Sequence, residues 1–197
     1  YQMKAQFEIT PTTYDPTIEW GDEVKVFRGR FPQHATITWD NIVPLWQTER
    51  NHDYLRCLTP DNHQVHENPI DYEGETDNPD LALEIDRQVL IPTFITHTQD
   101  FLDPNTVNIC QEAYDLNLKN LHIYSNVLAE SFLFKSHRDP HSLLIIQCIG
   151  MIQYEFEDDS IHQLDPGDAI YIPRGLYHAP KIFGPRVTFS YNWHYKR

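Results

Sequence analysis

Three residues of this sequence have types and spacing that suit a metal ion. His137 and Asp139 stand two apart in the stretch Ser136-His-Arg-Asp-Pro140. On an extended strand, residues i and i+2 point to the same side, so an imidazole and a carboxylate aim at one point while Arg138 aims away. A second imidazole must come from elsewhere, and His178 is the strongest choice. It follows Pro166-Gly-Asp-Ala-Ile-Tyr-Ile-Pro-Arg-Gly-Leu-Tyr177, which reads as a turn, a strand, a tight turn and a further strand bearing the histidine. Two histidines and one carboxylate on one face of an octahedral ion leave three positions open, the facial triad of non-haem Fe(II) oxygenases. Those positions suit a bidentate co-substrate and dioxygen. An isolated His-x-Asp is common, and a lone histidine is more often a hydrogen-bonding residue. The weight falls on the two occurring at opposite ends of one predicted barrel. His141, on the adjacent turn, is a rival ligand that would make a histidine-rich site instead.

The elements that must position these side chains lie in residues 120–195. Apolar runs predict eight short strands, at 120–126, 130–137, 142–149, 151–157, 160–164, 168–173, 176–182 and 186–194. Asp139-Pro140, Gly150, Asp158-Asp159, Pro166-Gly167, Arg174-Gly175 and Gly184-Pro185 punctuate them. Eight strands in so short a stretch fit a jelly roll, two sheets over one core, whose interior suits a metal and a small ligand. The fold class expected is therefore mainly β.

Residues 1–119 are more mixed. Glu23–Phe27 alternates like a strand and ends at a turn, Arg28-Gly29. Thr38–Gln47 places Trp39, Ile42, Val43 and Trp46 at helical spacing, with Thr38 or Asp40 as cap; Pro44 suits only a first turn. Residues 71–80 read as a solvated loop and Leu90–Ile95 as a short strand. Asp103–Asn120 reads as a helix with Pro104 in its first turn and Val107, Cys110, Ala113 and Leu116 repeating every three residues.

Composition narrows the classes. The chain has 197 residues, 40% hydrophobic and 22% charged, enough for one domain with a real core. Fourteen prolines and 13% aromatics suit a turn-rich β protein. A net charge of −14 argues against broad nucleic-acid binding, which needs Lys and Arg to displace counterions. No apolar run reaches the roughly 18 residues of a membrane span, and Tyr1–Thr10 lacks the character of a secretory leader. Cys57, Cys110 and Cys148 are scattered and odd in number, so free thiols and a cytoplasmic location are expected. There is no Gly-rich phosphate loop, nucleophile motif or zinc-type Cys cluster. His52, His63, His66, His97, His122, His162 and His194 carry no ligand reading; the close pair His63 and His66 lies in a polar stretch.

Against this background a family resemblance becomes specific. His137-Arg-Asp-Pro-His-Ser-Leu-Leu-Ile-Ile-Gln-Cys-Ile-Gly150 resembles the HxD-to-QxxG stretch of the JmjC-like cupin hydroxylases. Leu164 to His178 is similar to their distal-histidine segment, and Val187-Thr-Phe-Ser-Tyr-Asn-Trp193 to their last barrel strand. Val26-Phe-Arg-Gly29 with Thr38-Trp-Asp-Asn-Ile42 resembles, more weakly, the first strand and helix of the family. The close match covers residues 120–194. It implies a double-stranded β-helix (cupin) core at 120–195, an N-terminal extension at 1–119 whose helices pack on the barrel, and one cupin-like domain over 1–197. It also implies Fe(II), 2-oxoglutarate and dioxygen, used to hydroxylate or demethylate protein side chains. His137, Asp139 and His178 match the metal ligands and catalytic positions. Tyr124 matches a position whose hydroxyl often binds the far carboxylate of 2-oxoglutarate, and Asn192 a polar position near the metal. Each also has a plain reading, as a barrel residue and as a strand-end hydrogen bonder.

Two departures stand out. The family usually carries a Lys or Arg fifteen positions after the first ligand, pairing with the 2-oxoglutarate tail, and here that residue is Ile152. A buried carboxylate needs a cation or several donors. Arg186 is the preferred substitute, because Arg186-Val-Thr188 resembles the Arg-x-Ser or Arg-x-Thr pattern that related oxygenases carry on the last strand. Arg174 and Lys135 are weaker choices. The short interval between Asp139 and His178 leaves the N-terminal half to shape the substrate cleft, with Arg28, Arg30, Trp39 and Trp46 as mouth residues or, more simply for the tryptophans, as packing. The function expected is hydroxylation of a peptide side chain or a small amino-acid-like molecule. The alternatives are a metal-dependent cupin enzyme that does not use 2-oxoglutarate and a non-catalytic binding module. Exposed sheet edges leave a homodimer open.

Overall fold

The computed structural model describes residues 21–51, 56–58, 64–65, 93–96, 102–115, 119–129, 131 and 135–192. The expected loop at 71–80, the beginning of the strand expected from Leu90, and His52, His63, His66, His97, Trp193 and His194 lie outside them. The described residues form eleven strands and two α-helices, in order: β1 (Lys25–Phe27), α1 (Trp39–Asn51), β2 (Arg56–Leu58), β3 (Gln64–Val65), β4 (Thr93–Thr96), α2 (Pro104–Asp115), β5 (Lys119–Asn126), β6 (Leu143–Ile149), β7 (Ile152–Phe156), β8 (Ile161–Leu164), β9 (Ala169–Ile172), β10 (His178–Ile182) and β11 (Arg186–Asn192). A 3-10 turn at His34–Thr36 precedes α1.

The strands form two antiparallel sheets. The larger has the order β1-β9-β6-β11-β5-β4-β2-β3 and the smaller the order β10-β7-β8. From β8 to β11 successive strands alternate between the sheets, as in a double-stranded β-helix. Of the strand expected at 130–137, residues 130 and 132–134 lie outside the described residues; among the rest only His137 pairs, in an isolated bridge to His178.

The large sheet is covered on both faces, and its central strands show it. Along β11, Val187, Phe189 and Tyr191 join one apolar cluster with Leu144, Ile146 and Cys148 of β6, Ile42 and Leu45 of α1, and Ile109, Cys110 and Ala113 of α2. The intervening Leu143 and Ile145 of β6 face the barrel interior with Ile152, Tyr154 and Phe156 of β7, Ile170 and Ile172 of β9, and Ile182 of β10. This strict alternation is the period of a strand. It divides what the sequence presented as one core into an outer and an inner one. Trp39 and Trp46 pack on the outer cluster, with the Trp46 indole donating to Ser125 Oγ at 3.0 Å.

The helices are anchored by caps. Asn41 Oδ1 accepts the Thr38 amide at 2.9 Å and the Thr38 hydroxyl at 3.0 Å, closing the first turn of α1. Pro44 sits inside the helix, one turn later than expected. At α2, Asp103 Oδ1 accepts the amides of Asn105 and Thr106 at 2.9 and 3.1 Å. Its carboxyl is held below the usual carboxylate range: burial opposes this, but the hydrogen bonds from Thr106, Asn105 and Asn41 outweigh it.

Candidate metal centre and cavity

The HxD pair and the distal histidine meet through the backbone bridge. His137 is carried by the loop before β6 and His178 opens β10, and the bridge sets their rings side by side with centroids 4.5 Å apart. One donor atom each from His137, Asp139 and His178 lies within 4.8 Å of the other two. Asp139 Oδ2 stands 3.6 Å from His137 Nε2 and 3.4 Å from His178 Nε2. These separations are too long for hydrogen bonds. They are close to the roughly 3 Å expected between neighbouring donors that each lie about 2.1 Å from one octahedral ion.

The tautomers fit the same role. His137 Nδ1 lies 2.9 Å from the Lys135 carbonyl and His178 Nδ1 lies 3.0 Å from the Leu176 carbonyl. A carbonyl only accepts, so each Nδ1 carries the proton and each Nε2 presents its lone pair towards Asp139. His178 is buried, which pushes its pKa below the ordinary histidine value and keeps it neutral; the carbonyl of Leu176 and Asp139 pull the other way, and His137 adds to the lowering. Neutral imidazoles with a carboxylate are the donor set a divalent transition metal takes. The side chains of Asp139 and His137 are each about one-third exposed, so the site opens to solvent on one side.

Behind the triad lies a cavity of about 150 Å³ between the two sheets. Its floor is the inward face of β11 with its neighbours in register, Arg186 beside Asn126, Thr188 beside Tyr124 and Gln147, and Ser190 beside His122 and Ile145. Tyr124, Arg186 and Asn192 line it, together with His122, His141 and Tyr154. Thr188 sits just beneath the surface as part of a buried chain. Arg186 Nη1 donates to Thr188 Oγ1 at 3.0 Å, and Thr188 Oγ1 donates to Gln147 Oε1 at 2.7 Å. Gln147 Nε2 in turn donates to the carbonyls of Ile149 and Gly150 at 2.6 and 3.0 Å. Arg186 Nε donates to Asn126 Oδ1 at 2.7 Å. Arg186 is 4% exposed, and among the described residues no carboxylate pairs with it. Burial lowers its pKa, but an arginine remains charged throughout the working range.

Other expected residues lie elsewhere. Ile152 is fully buried in the inner apolar cluster, so no cation occupies the usual family position. His141 lines the cavity but is not one of the converging donors. Arg28 does not reach the mouth. Its guanidinium binds the Gln163 carbonyl and Asp168 Oδ2, at 2.5 and 2.6 Å, and ties the end of β1 to the turn before β9. Arg30, Trp39, Trp46, Arg174 and Lys135 are also absent from the described lining. Cys110 and Cys148 are free and buried, and burial raises the Cys148 thiol pKa. The sequence reading missed Asn126, Gln147 and Tyr154. Asn126 carries no local signal, because its partner Arg186 lies far along the chain, whereas the alternation Ile152-x-Tyr154-x-Phe156 was the available signal for Tyr154.

Fold and site together define a double-stranded β-helix whose mouth carries two histidines and a carboxylate able to hold a metal ion. No family model and no curated protein matches the sequence. Solved structures do match it. The ribosomal oxygenase YcfD from Escherichia coli in complex with cobalt and 2-oxoglutarate superposes with a TM-score of 0.65 at 16% identity, over 89% of this chain and 49% of that one. A second structure of E. coli YcfD gives a TM-score of 0.65 at 15% identity over 93% and 55%, and its complex with cobalt and succinic acid 0.59 at 14% over 88% and 48%. At these identities the likeness concerns the fold. This chain spans about half the length of the structures it matches. Among the described residues, no helix is long and apolar enough to cross a membrane.

Proposed function

We propose that this chain is an Fe(II)- and 2-oxoglutarate-dependent oxygenase that hydroxylates a peptide side chain or a small amino-acid-like substrate. The observation that carries the reading is one cavity holding the converging triad at its mouth and, deeper, a buried guanidinium without an acidic partner among the described residues. A metal triad alone suits many cupins. A buried cation is costly unless an anion completes it, and a dicarboxylic 2-oxoacid supplies that anion while its other end chelates the ion. The superposed oxygenase with bound cobalt and 2-oxoglutarate supports the same reading.

Iron and dioxygen, with 2-oxoglutarate as the electron donor decarboxylated to succinate, supply the oxidising chemistry. The chain's own contribution is placement. His137, Asp139 and His178 would hold the ion through one donor atom each. Arg186 holds the tail of the co-substrate, with its guanidinium oriented by Asn126 and Thr188. Leu143, Ile145 and Pro180 line the same cavity and limit water beside the reacting atoms. Asn192 and Tyr124 offer polar contacts along its walls.

The test is titration of the protein with Mn(II) and then 2-oxoglutarate, followed by a succinate assay with Fe(II), ascorbate and candidate peptides. Saturable 2-oxoglutarate binding that requires metal, with succinate formed above background, supports the proposal. Metal binding without either result favours the second reading, a metal-dependent cupin enzyme that does not use 2-oxoglutarate. Ile152 in place of the usual cation is the observation that motivates it.

A further inference from the structure

One group in the cavity is used by neither the metal site nor the Arg186 grip described above. Tyr154 lies on β7, in register with Pro180 of β10 and His162 of β8. It is 5% exposed, lines the cavity, and has its ring centroid 6.1 Å from that of His178. Its hydroxyl makes no hydrogen bond among the described residues. A buried tyrosine usually finds a partner for its hydroxyl, because one left without costs free energy that phenylalanine would avoid. Ile152 and Phe156, its neighbours on the same face of the strand, are the apolar residues that a purely packing role calls for.

The surroundings indicate what the hydroxyl meets. Arg186, Tyr124 and Asp139 line the same cavity as Tyr154, and the charges of Arg186 and Asp139 act on its phenol. The hydrogen bonds of Arg186 occupy Nε and one position on Nη1, and its remaining N–H groups carry no partner among the described residues. The Tyr124 ring flanks the guanidinium, 5.9 Å from its carbon. Guanidinium donors and a hydroxyl without partners among the described residues, on the wall of one cavity, are groups from which a carboxylate accepts hydrogen bonds.

We infer that Tyr154 is a carboxylate-binding residue, its hydroxyl donating to the carboxylate that Arg186 pairs, so that a two-point grip stands in for the single cation absent at Ile152. The inference rests on the 2-oxoglutarate reading above and assigns this residue a role within it. Burial raises the phenol pKa, so the group stays protonated and acts only as a donor to an anion.

The experiment compares 2-oxoglutarate with 2-oxopentanoate, which has the same chain length but no tail carboxylate. Both are titrated calorimetrically into Mn(II)-loaded wild-type protein and Tyr154→Phe, with thermal unfolding of both metal-free proteins as a check on folding. Loss of one hydrogen bond to a charged group predicts roughly tenfold weaker 2-oxoglutarate binding in Tyr154→Phe, with 2-oxopentanoate and Mn(II) affinities unchanged. Equal 2-oxoglutarate affinity in the two proteins overturns the inference. Equal losses for both oxoacids also overturn it, because the residue then acts through packing. Wild-type protein that binds Mn(II) but neither oxoacid overturns the co-substrate reading itself, and this grip with it.

Discussion

His137 and His178 hold each other through their backbones: the amide of each donates to the carbonyl of the other, at 3.0 and 2.9 Å. Directly opposed residues of an antiparallel pair project to the same side. The bridge therefore sets two distant imidazoles next to each other without using either side chain.

That independence separates metal binding from folding. His137→Ala and His178→Ala keep the bridge, so each should retain the wild-type circular dichroism spectrum. Each removes one of three donors, and Mn(II) affinity should fall by about two orders of magnitude or more. Calorimetry or electron paramagnetic resonance titration measures it. Near-wild-type affinity in either variant would remove these side chains from the site.

Replacing Arg186 with methionine should separate ligand binding from stability in a different way. The variant loses the cation expected to pair the tail of 2-oxoglutarate, so affinity should drop about a hundredfold for a lost charge-assisted pair. Stability should move by less than about 2 kcal/mol, since relief of an uncompensated buried charge offsets the acceptor left unpaired on Asn126. Urea unfolding of the metal-free proteins gives the second quantity. A collapse in stability with ligand affinity intact would make Arg186 a structural residue only.

Gly150→Ala should be strongly destabilising. Gly150 has φ +70°, and a Cβ there would stand 2.1 Å from the Pro185 carbonyl oxygen, which is backbone and cannot step aside. Left-handed strain and this clash together predict a loss of about 3 kcal/mol or more. The same turn receives the side-chain amide of Gln147, which supports Thr188 and through it Arg186. The variant should therefore weaken 2-oxoglutarate binding even where it remains folded, and denaturation with ligand titration tests both.

An acid-sensitive element lies on the other face of the large sheet. His34 is fully buried among Phe31, Phe189 and Tyr191, shares a hydrogen bond with the Tyr191 hydroxyl at 2.9 Å, and leaves Nδ1 without a partner among the described residues. Burial lowers its pKa from 6.5 to about 3. Below pH 6.5 the unfolded chain takes up a proton that the folded chain refuses, so this residue's contribution is intact above 6.5 and is lost progressively towards pH 3. The slope approaches about 1.4 kcal/mol per pH unit. His34→Leu should flatten the fall in stability between pH 6.5 and 4.5, measured by urea unfolding; an unchanged slope would show that other groups set it.

The sequence by itself determined much of the barrel and the local half of the metal site. Apolar runs bounded by turn residues placed β5 to β11 within a few positions of where they occur, because strands covered on both faces need apolar side chains along their whole length. His137 and Asp139 share a side through local geometry, and Arg186-Val-Thr188 puts two polar groups on one face for the same reason. The tertiary structure decided what depends on partners far along the chain. It bridged His137 to the distant His178, and made two cores from one apolar pattern by covering both faces of a sheet. It also set Tyr154 and Asn126 beside Arg186, and turned Arg28 away from the cavity to Asp168. Periodicity encodes the face a side chain takes, whereas its neighbours follow from strand order and register, which form only when the chain closes on itself.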